Sequence, residues 1–263
     1  MDLGLRGKIA LVSAASRGLG RAVAEELAAE GASLVICARG ETALHEAAAA
    51  IRASSGVDVE AVAADVARPE DVERLVQAAF DHFGRVDILV TNAGGPPSGT
   101  FESLGPEKWS DAVQLTLLST VNLCRAVVPG MRERRWGRII NVTSITVKQP
   151  VEGLMLSNSL RAGVTGFART LANEVARDGI TVNNILPGYT RTQRVEELAR
   201  ATAAREKISV AEAMKKSEAE IPMRRLGEPR EFAAVAAFLA SERASYITGT
   251  SIQVDGGWIK SLF

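Results

Sequence analysis

Histidine, cysteine and tyrosine are scarce in this chain, with two of each among 263 residues. Both histidines, His45 and His82, fall in stretches patterned as surface helices, so neither a metal centre nor a Ser–His–Asp triad is expected. Cys37 and Cys124 sit inside apolar segments and read as small core residues rather than a disulfide or a metal pair. An excess of either charge is also lacking, because 31 basic residues face 31 acidic ones. That balance gives no footprint for nucleic acid or an anionic membrane. No apolar stretch approaches a membrane span, since the longest are broken by Arg, Glu or Gly. The opening MDLGLRGKIALVSAAS lacks the apolar region of a signal peptide, and a cytoplasmic protein is the simplest expectation.

What the chain does have is alternation. Short apolar runs, often β-branched, occur at 8–13, 33–38, 59–64, 86–91, 138–143, 181–186 and 251–255, as expected for strands buried on both faces. Amphipathic stretches of helical length separate them at 18–30, 41–54, 69–83, 106–134, 157–178 and 229–240. The third opens on Pro69 followed by two acids, a good helix start. Such a pattern predicts right-handed crossovers and an α/β, Rossmann-type, doubly wound parallel sheet with helices on both faces. No linker or repeat divides the chain, so 1–263 reads as one domain. Residues 189–226, rich in Arg, Glu, Lys and Ala, break the alternation. They follow a strand end and fit a helical lid over a ligand, or else a solvated helical pair.

Polar motifs gather at the ends of these strands. The first is followed by Ser13-Ala14-Ala15-Ser16-Arg17-Gly18-Leu19-Gly20 and then a helix. Glycines at such a turn admit a phosphate to the backbone, and the helix N-terminus stabilises its charge. Asp65-Val66 ends the third strand and Thr91-Asn92-Ala93-Gly94 the fourth. Asn141-Val142-Thr143-Ser144 follows the fifth, Pro187-Gly188-Tyr189-Thr190-Arg191-Thr192 the sixth, and Val254-Asp255-Gly256-Gly257 the last.

Across nearly its whole length this set resembles the short-chain dehydrogenase/reductase family, most like its 3-oxoacyl-(acyl carrier protein) reductase group. The resemblance implies a cofactor site at Ser13, Ala15, Ser16, Arg17, Gly18, Leu19, Gly20, Arg39, Asp65, Val66, Asn92, Ala93, Gly94, Arg161, Pro187, Gly188, Thr190 and Thr192. Ala14 stands where the family has its first glycine, so the opening turn must tolerate a Cβ. Cys37-Ala38-Arg39 places no acid after the second strand to meet a ribose 2′-hydroxyl. With Arg17 in the glycine turn, two guanidiniums can converge on a 2′-phosphate, which points to NADP(H) over NAD(H).

The catalytic positions depart further. Ser144 stands where the family's substrate-orienting Ser stands. Thirteen residues on, the family's Tyr is replaced by Ser157; four further, its Lys is replaced by Arg161. Its Asn, seven residues after Trp109, is Thr116. A phenol of free pKa about 10, lowered by a Lys cation, donates a proton as hydride arrives. A serine hydroxyl is a far weaker acid, and an arginine does not relay protons under ordinary conditions. Water held by Ser144, Ser157 and Arg161 is the favoured donor. Tyr189 reads as a cleft lining and Lys148 as a surface residue.

The resemblance implies a homotetramer acting on a small carbonyl or alcohol, such as a 3-oxoacyl thioester. Apolar residues on more than one face of the helices (Val113, Leu117, Val121; Val164, Phe167, Leu171) and the tail Trp258–Phe263 fit extra subunit contacts. Two functions stay open at this stage. One is a rewired reductase; the other is a catalytically silent NADP(H)-binding sensor or partner subunit.

Overall fold

The computed structural model describes residues 2–262. Seven strands form one sheet: β1 (Ile9–Val12), β2 (Ser33–Ala38), β3 (Val59–Ala63), β4 (Ile88–Thr91), β5 (Gly137–Val142), β6 (Ile180–Pro187) and β7 (Ser251–Val254). Their order is β3-β2-β1-β4-β5-β6-β7, and every neighbouring pair is parallel. Parallel neighbours need helical crossovers, so both faces of the sheet are covered. Helices α1 (Gly18–Ala29), α2 (Glu41–Ser55) and α9 (Pro229–Ala240) cover one face; α3 (Pro69–Phe83), α5 (Ser119–Glu133) and α6 (Met155–Val175) cover the other.

The two cores divide the strand residues by the pleat. Ala10, Val12, Leu34 and Ile36 join Leu27, Ile51 and Phe232 on the first face. Leu11, Val35 and Leu89 join Leu75, Val127 and Ala172 on the second. Alternate residues point to opposite faces, which is why β1, β2 and β4 are almost wholly apolar along their length.

A short helix α4 (Pro106–Ala112) continues into α5 through a π-helical turn, Val113–Leu118. Side-chain hydroxyls take two carbonyls in this stretch: Ser119 Oγ donates to Leu115 O at 2.5 Å and Thr120 Oγ1 to Thr116 O at 3.3 Å. The whole of Pro106–Glu133 is long and apolar enough, by composition alone, to cross a membrane. This corrects the expectation from the sequence that no stretch would be. The helix earns its apolar character as the crossover between β4 and β5, with Leu123, Val127 and Met131 buried against the sheet.

The segment after β6 holds α7 (Gln193–Glu206) and α8 (Val210–Glu220), the latter opened by a capping box between Ser209 and Glu212. The tail folds back on its own chain. Trp258 and Ile259 are buried with Ile145, Leu186 and Val195, so they do not supply the free apolar surface expected of them. Phe263 lies outside the described residues. Val164 is likewise buried within the chain, while Val113, Leu117, Val121, Phe167 and Leu171 keep partial exposure.

Candidate active site

Strand order reverses between β1 and β4, and their C-terminal ends frame a crevice. Side chains fasten those two ends together. Ser13 Oγ donates to Asn92 O at 2.6 Å and accepts from Asn92 N at 2.8 Å. Further along the sheet a polar ladder lies under the crevice: Thr91 Oγ1 to Asn141 Oδ1 at 2.8 Å, Asn141 Nδ2 to Asn184 Oδ1 at 3.1 Å, and Asn184 Nδ2 to Ser251 Oγ at 3.1 Å. These residues are register partners on β4, β5, β6 and β7. A buried chain of satisfied hydrogen bonds fixes the strand ends against one another, which a purely apolar layer would do less specifically.

The cleft above measures about 890 Å³. At one end lie Ser16, Arg17, Gly18 and Leu19, with Arg39, Asp65 and Val66 beside them. Gly18 has φ +60°, and Gly20 packs so closely that a Cβ would come within 2.3 Å of Ala14 O. Asp65 Oδ1 accepts from Ala67 N at 3.1 Å, which fixes its carboxylate at the cleft rim. Arg39 is exposed and makes no hydrogen bond or ion pair with the described residues. At the other end Ser144, Ser157 and Arg161 share a wall with Asn92, Ala93, Gly94, Pro187, Gly188, Thr190 and Thr192.

Comparison with known proteins fits this geometry. The family model described as enoyl-(acyl carrier protein) reductase matches residues 13–259. The 3-oxoacyl-[acyl-carrier-protein] reductase FabG of Vibrio cholerae is 40% identical over 255 residues, which is 97% of this chain and 98% of that protein. The chain belongs to the short-chain dehydrogenase/reductase family. Among solved structures, L-sorbose reductase of Gluconobacter frateurii complexed with NADPH and L-sorbose superposes with a TM-score of 0.95, at 39% identity over all of both chains. Actinorhodin polyketide ketoreductase with NADPH gives 0.93 at 34% identity, covering 97% of this chain and 98% of that one.

Within that family frame, four residues assigned from the sequence lie behind the cleft wall and do not line it. Ser13 and Ala15 are fully buried, the first in the Asn92 linkage and the second in the core. Gly20 is covered by Ala14 and Asn92. Thr116 is buried in the π-helical turn, where its Oγ1 has no hydrogen-bond partner and its neighbour Leu115 takes the place on the wall. The first three hold the turn's shape, and Thr116 corrects the expectation of a fourth catalytic side chain.

The three hydroxyl and guanidinium groups of this family member are brought to one wall, but each is bonded elsewhere. Ser144 Oγ accepts from Thr146 N at 3.1 Å and caps a short 3₁₀ turn, Ile145–Val147. Ser157, on the first turn of α6, is buried with its Oγ 3.4 Å from Thr146 Oγ1. Thr146 was not foreseen, because nothing in the sequence marks a threonine two residues past Ser144 as a partner. One turn beyond Ser157, Arg161 Nη1 donates to Val142 O at 2.8 Å and Thr143 O at 2.9 Å, and Nη2 to Gly94 O at 2.6 Å. Enclosure by protein, and then the Arg194 cation, lower this guanidinium to about 10.

The alternative donors are accounted for. Lys148 Nζ donates to Gln253 Oε1 at 2.9 Å, on the β7 side. Tyr189 lines the cleft, its ring edge-on to Trp258 at 6.0 Å. Burial and then the Glu220 carboxylate push its phenol above the usual value, making it a weaker acid.

Proposed function

We propose that the protein is an NADP(H)-dependent reductase of a small carbonyl compound, working without the family's Tyr and Lys. The observation that carries this reading is the continuity of one cleft from the glycine turn to Ser144, Ser157 and Arg161. Its residues fit the dinucleotide. Gly18 and the N-terminus of α1 suit a pyrophosphate, Asp65 an adenine amine, and Thr192 the nicotinamide end. Among the described residues Arg39 has no partner and Arg17 has only Gln193 Oε1 at 2.6 Å, which suits both to a 2′-phosphate.

Bound there, the nicotinamide supplies the hydride. Ser144 orients the carbonyl oxygen. Arg161 stays charged well above neutral pH and stabilises the oxyanion as it forms. Water reached through the Ser144 and Ser157 hydroxyls gives the proton. The second reading, a binding protein without turnover, draws support from the engagement of Ser157 with Thr146 and of Arg161 with three carbonyls. The partly exposed Val113, Leu117, Val121, Phe167 and Leu171 support a homotetramer, and a 3-oxoacyl thioester is the first substrate to try.

Ser157→Ala and Arg161→Ala are each expected to depress NADPH-dependent carbonyl reduction by about tenfold or more while leaving the fold intact. Calorimetry is expected to show NADPH bound more tightly than NADH, with the difference shrinking in Arg39→Ala. Tight NADPH binding with no turnover of 3-oxoacyl thioesters, quinones, ketones or aldehydes establishes the silent binder instead.

A further inference from the structure

The first turn of α7 carries a second arginine to the catalytic end of the cleft. Arg194 Nη2 donates to Pro96 O at 2.9 Å. Its guanidinium lies so close over Gly95 that a Cβ there would meet Nε at 2.9 Å and Cζ at 3.0 Å. Arg161 reaches the same turn through Gly94 O. Residues 94–96 are thus flanked by two guanidiniums, both lining the cleft with Ser144 and Ser157.

Carboxylates do little to neutralise this pair. Arg161 forms no ion pair among the described residues, and Arg194 has only the half-exposed Glu197, 3.8 Å away. Glu152, the other acid near this wall, is 3.7 Å from Arg205. Two partly desolvated cations that share a single half-exposed carboxylate at 3.8 Å cost free energy that an anionic ligand would offset. Enclosure first, and then the Arg194 cation, disfavour the charged form of Arg161, in keeping with the approach of both guanidiniums to residues 94–96.

Two anions could supply that counterion. The cofactor pyrophosphate belongs with the glycine turn in this fold. There the lid approaches through Thr192, 3.8 Å from a Cβ built on Gly18, and through Gln193, whose Oε1 accepts from Arg17 at 2.6 Å. Arg194 leaves the lid in another direction, toward residues 95 and 96. We propose that Arg194, together with Arg161, forms a subsite for a carboxylate carried by the carbonyl substrate, and that Arg194 makes the enzyme selective for oxo acids over their neutral counterparts. Leu115, Ile145, Val151, Leu154 and Leu198 complete the wall and suit the hydrocarbon part of such a molecule.

This selectivity rests on the reductase reading above, and the test separates the two. The probes are 3-oxohexanoate and its methyl ester, which share a skeleton and differ in charge. Wild-type protein is expected to favour the acid in kcat/KM by about ten- to a hundredfold, the range of a charge-assisted hydrogen bond. Arg194→Met is expected to remove about tenfold or more of that preference, chiefly through KM, with Arg194→Lys retaining part of it. NADPH affinity is expected to stay within about twofold of wild type. The lid-surface variant Arg200→Met should keep the full preference. Equal use of acid and ester by the wild type overturns the proposal. So does an Arg194→Met variant whose NADPH affinity falls as far as its use of the acid, since the anion is then the cofactor's. If neither compound is reduced, calorimetry on the NADPH-loaded protein decides. Binding of the acid but not the ester, lost in Arg194→Met, sustains the subsite while defeating the reductase. Binding without charge selectivity overturns the subsite.

Discussion

Ala14 occupies the first position of the nucleotide turn with φ +50°, in the left-handed region that a Cβ disfavours. The strain costs about 1–2 kcal/mol for a residue with a side chain. Its backbone cannot relax easily, because Ala14 O faces Gly20 across a gap too small for a Cβ and accepts from Asn92 Nδ2 at 3.5 Å. Ala14→Gly removes the strain but widens the unfolded ensemble, which opposes the gain by about 0.4–1 kcal/mol. The difference leaves between about 0 and 1.6 kcal/mol in favour of glycine, a rise in Tm of up to about 3–6 °C for a chain of this size. Ala14→Val, β-branched at the same φ, should instead lose stability. Thermal melts of the three proteins, each with and without NADPH, check this. A fall in Tm for Ala14→Gly would show that the turn carries no strain and that the argument from φ is wrong.

Gly20→Ala should be the opposite case. The new methyl would meet Ala14 O at 2.3 Å and Asn92 Nδ2 at 2.8 Å. Backbone displacement there should cost about 1–3 kcal/mol in a urea titration and weaken NADPH binding by calorimetry. Far from the cleft, the hydrogen bond from His82 to Asp58 at 2.7 Å, aided by Glu60, raises the imidazole above its usual 6.5. Its folded value exceeds its unfolded one, so the contribution is fully present below about pH 6.5 and lost as pH rises through the raised value. Urea midpoints measured across that range should fall with pH in wild type and show a smaller fall in His82→Gln.

The sheet was legible because its central strands are buried on both faces and read as largely apolar runs, while the edge strands β3 and β7 are only partly buried. All seven runs became strands, with ends shifted by at most two residues, as KIALVS at 8–13 against Ile9–Val12. The helices were legible for the complementary reason that each keeps one polar face. The π-helical turn was not. Its sequence, VQLTLL, is an ordinary helical run, and the wider winding shows in the backbone rather than in composition. The polar ladder escaped notice for a different reason. Thr91, Asn141, Asn184 and Ser251 are far apart in sequence and become neighbours only once the register is known. Arg194 was hidden by its surroundings, since one arginine in the arginine-rich segment 189–226 carries no local mark of the direction in which it points. The tail is divided: Trp258 and Ile259 are covered by their own chain, whereas Leu262 stays exposed.

Arg161 shows why the replaced catalytic pair is better read as a rebuilt site than as a decayed one. An ammonium group has three donors on one atom, whereas a guanidinium spreads five over a rigid fork. Three of those five go to Val142 O, Thr143 O and Gly94 O, tying the end of β5 to the loop after β4. The remaining N–H groups stay available to the cleft. The side chain can therefore brace the site and still meet an oxyanion, two tasks that call for a planar, many-donor cation. A decayed position would have no need to keep a charge beside Arg194, where desolvation and like charge both oppose it. On the proposed reading, retention of a cation against that penalty serves an anion at this end of the cleft, whether the oxyanion of a reduced carbonyl or the carboxylate beside it. The two arginine variants separate those possibilities: Arg161→Ala should depress reduction of the ester as well as the acid, and Arg194→Met should act on the acid alone.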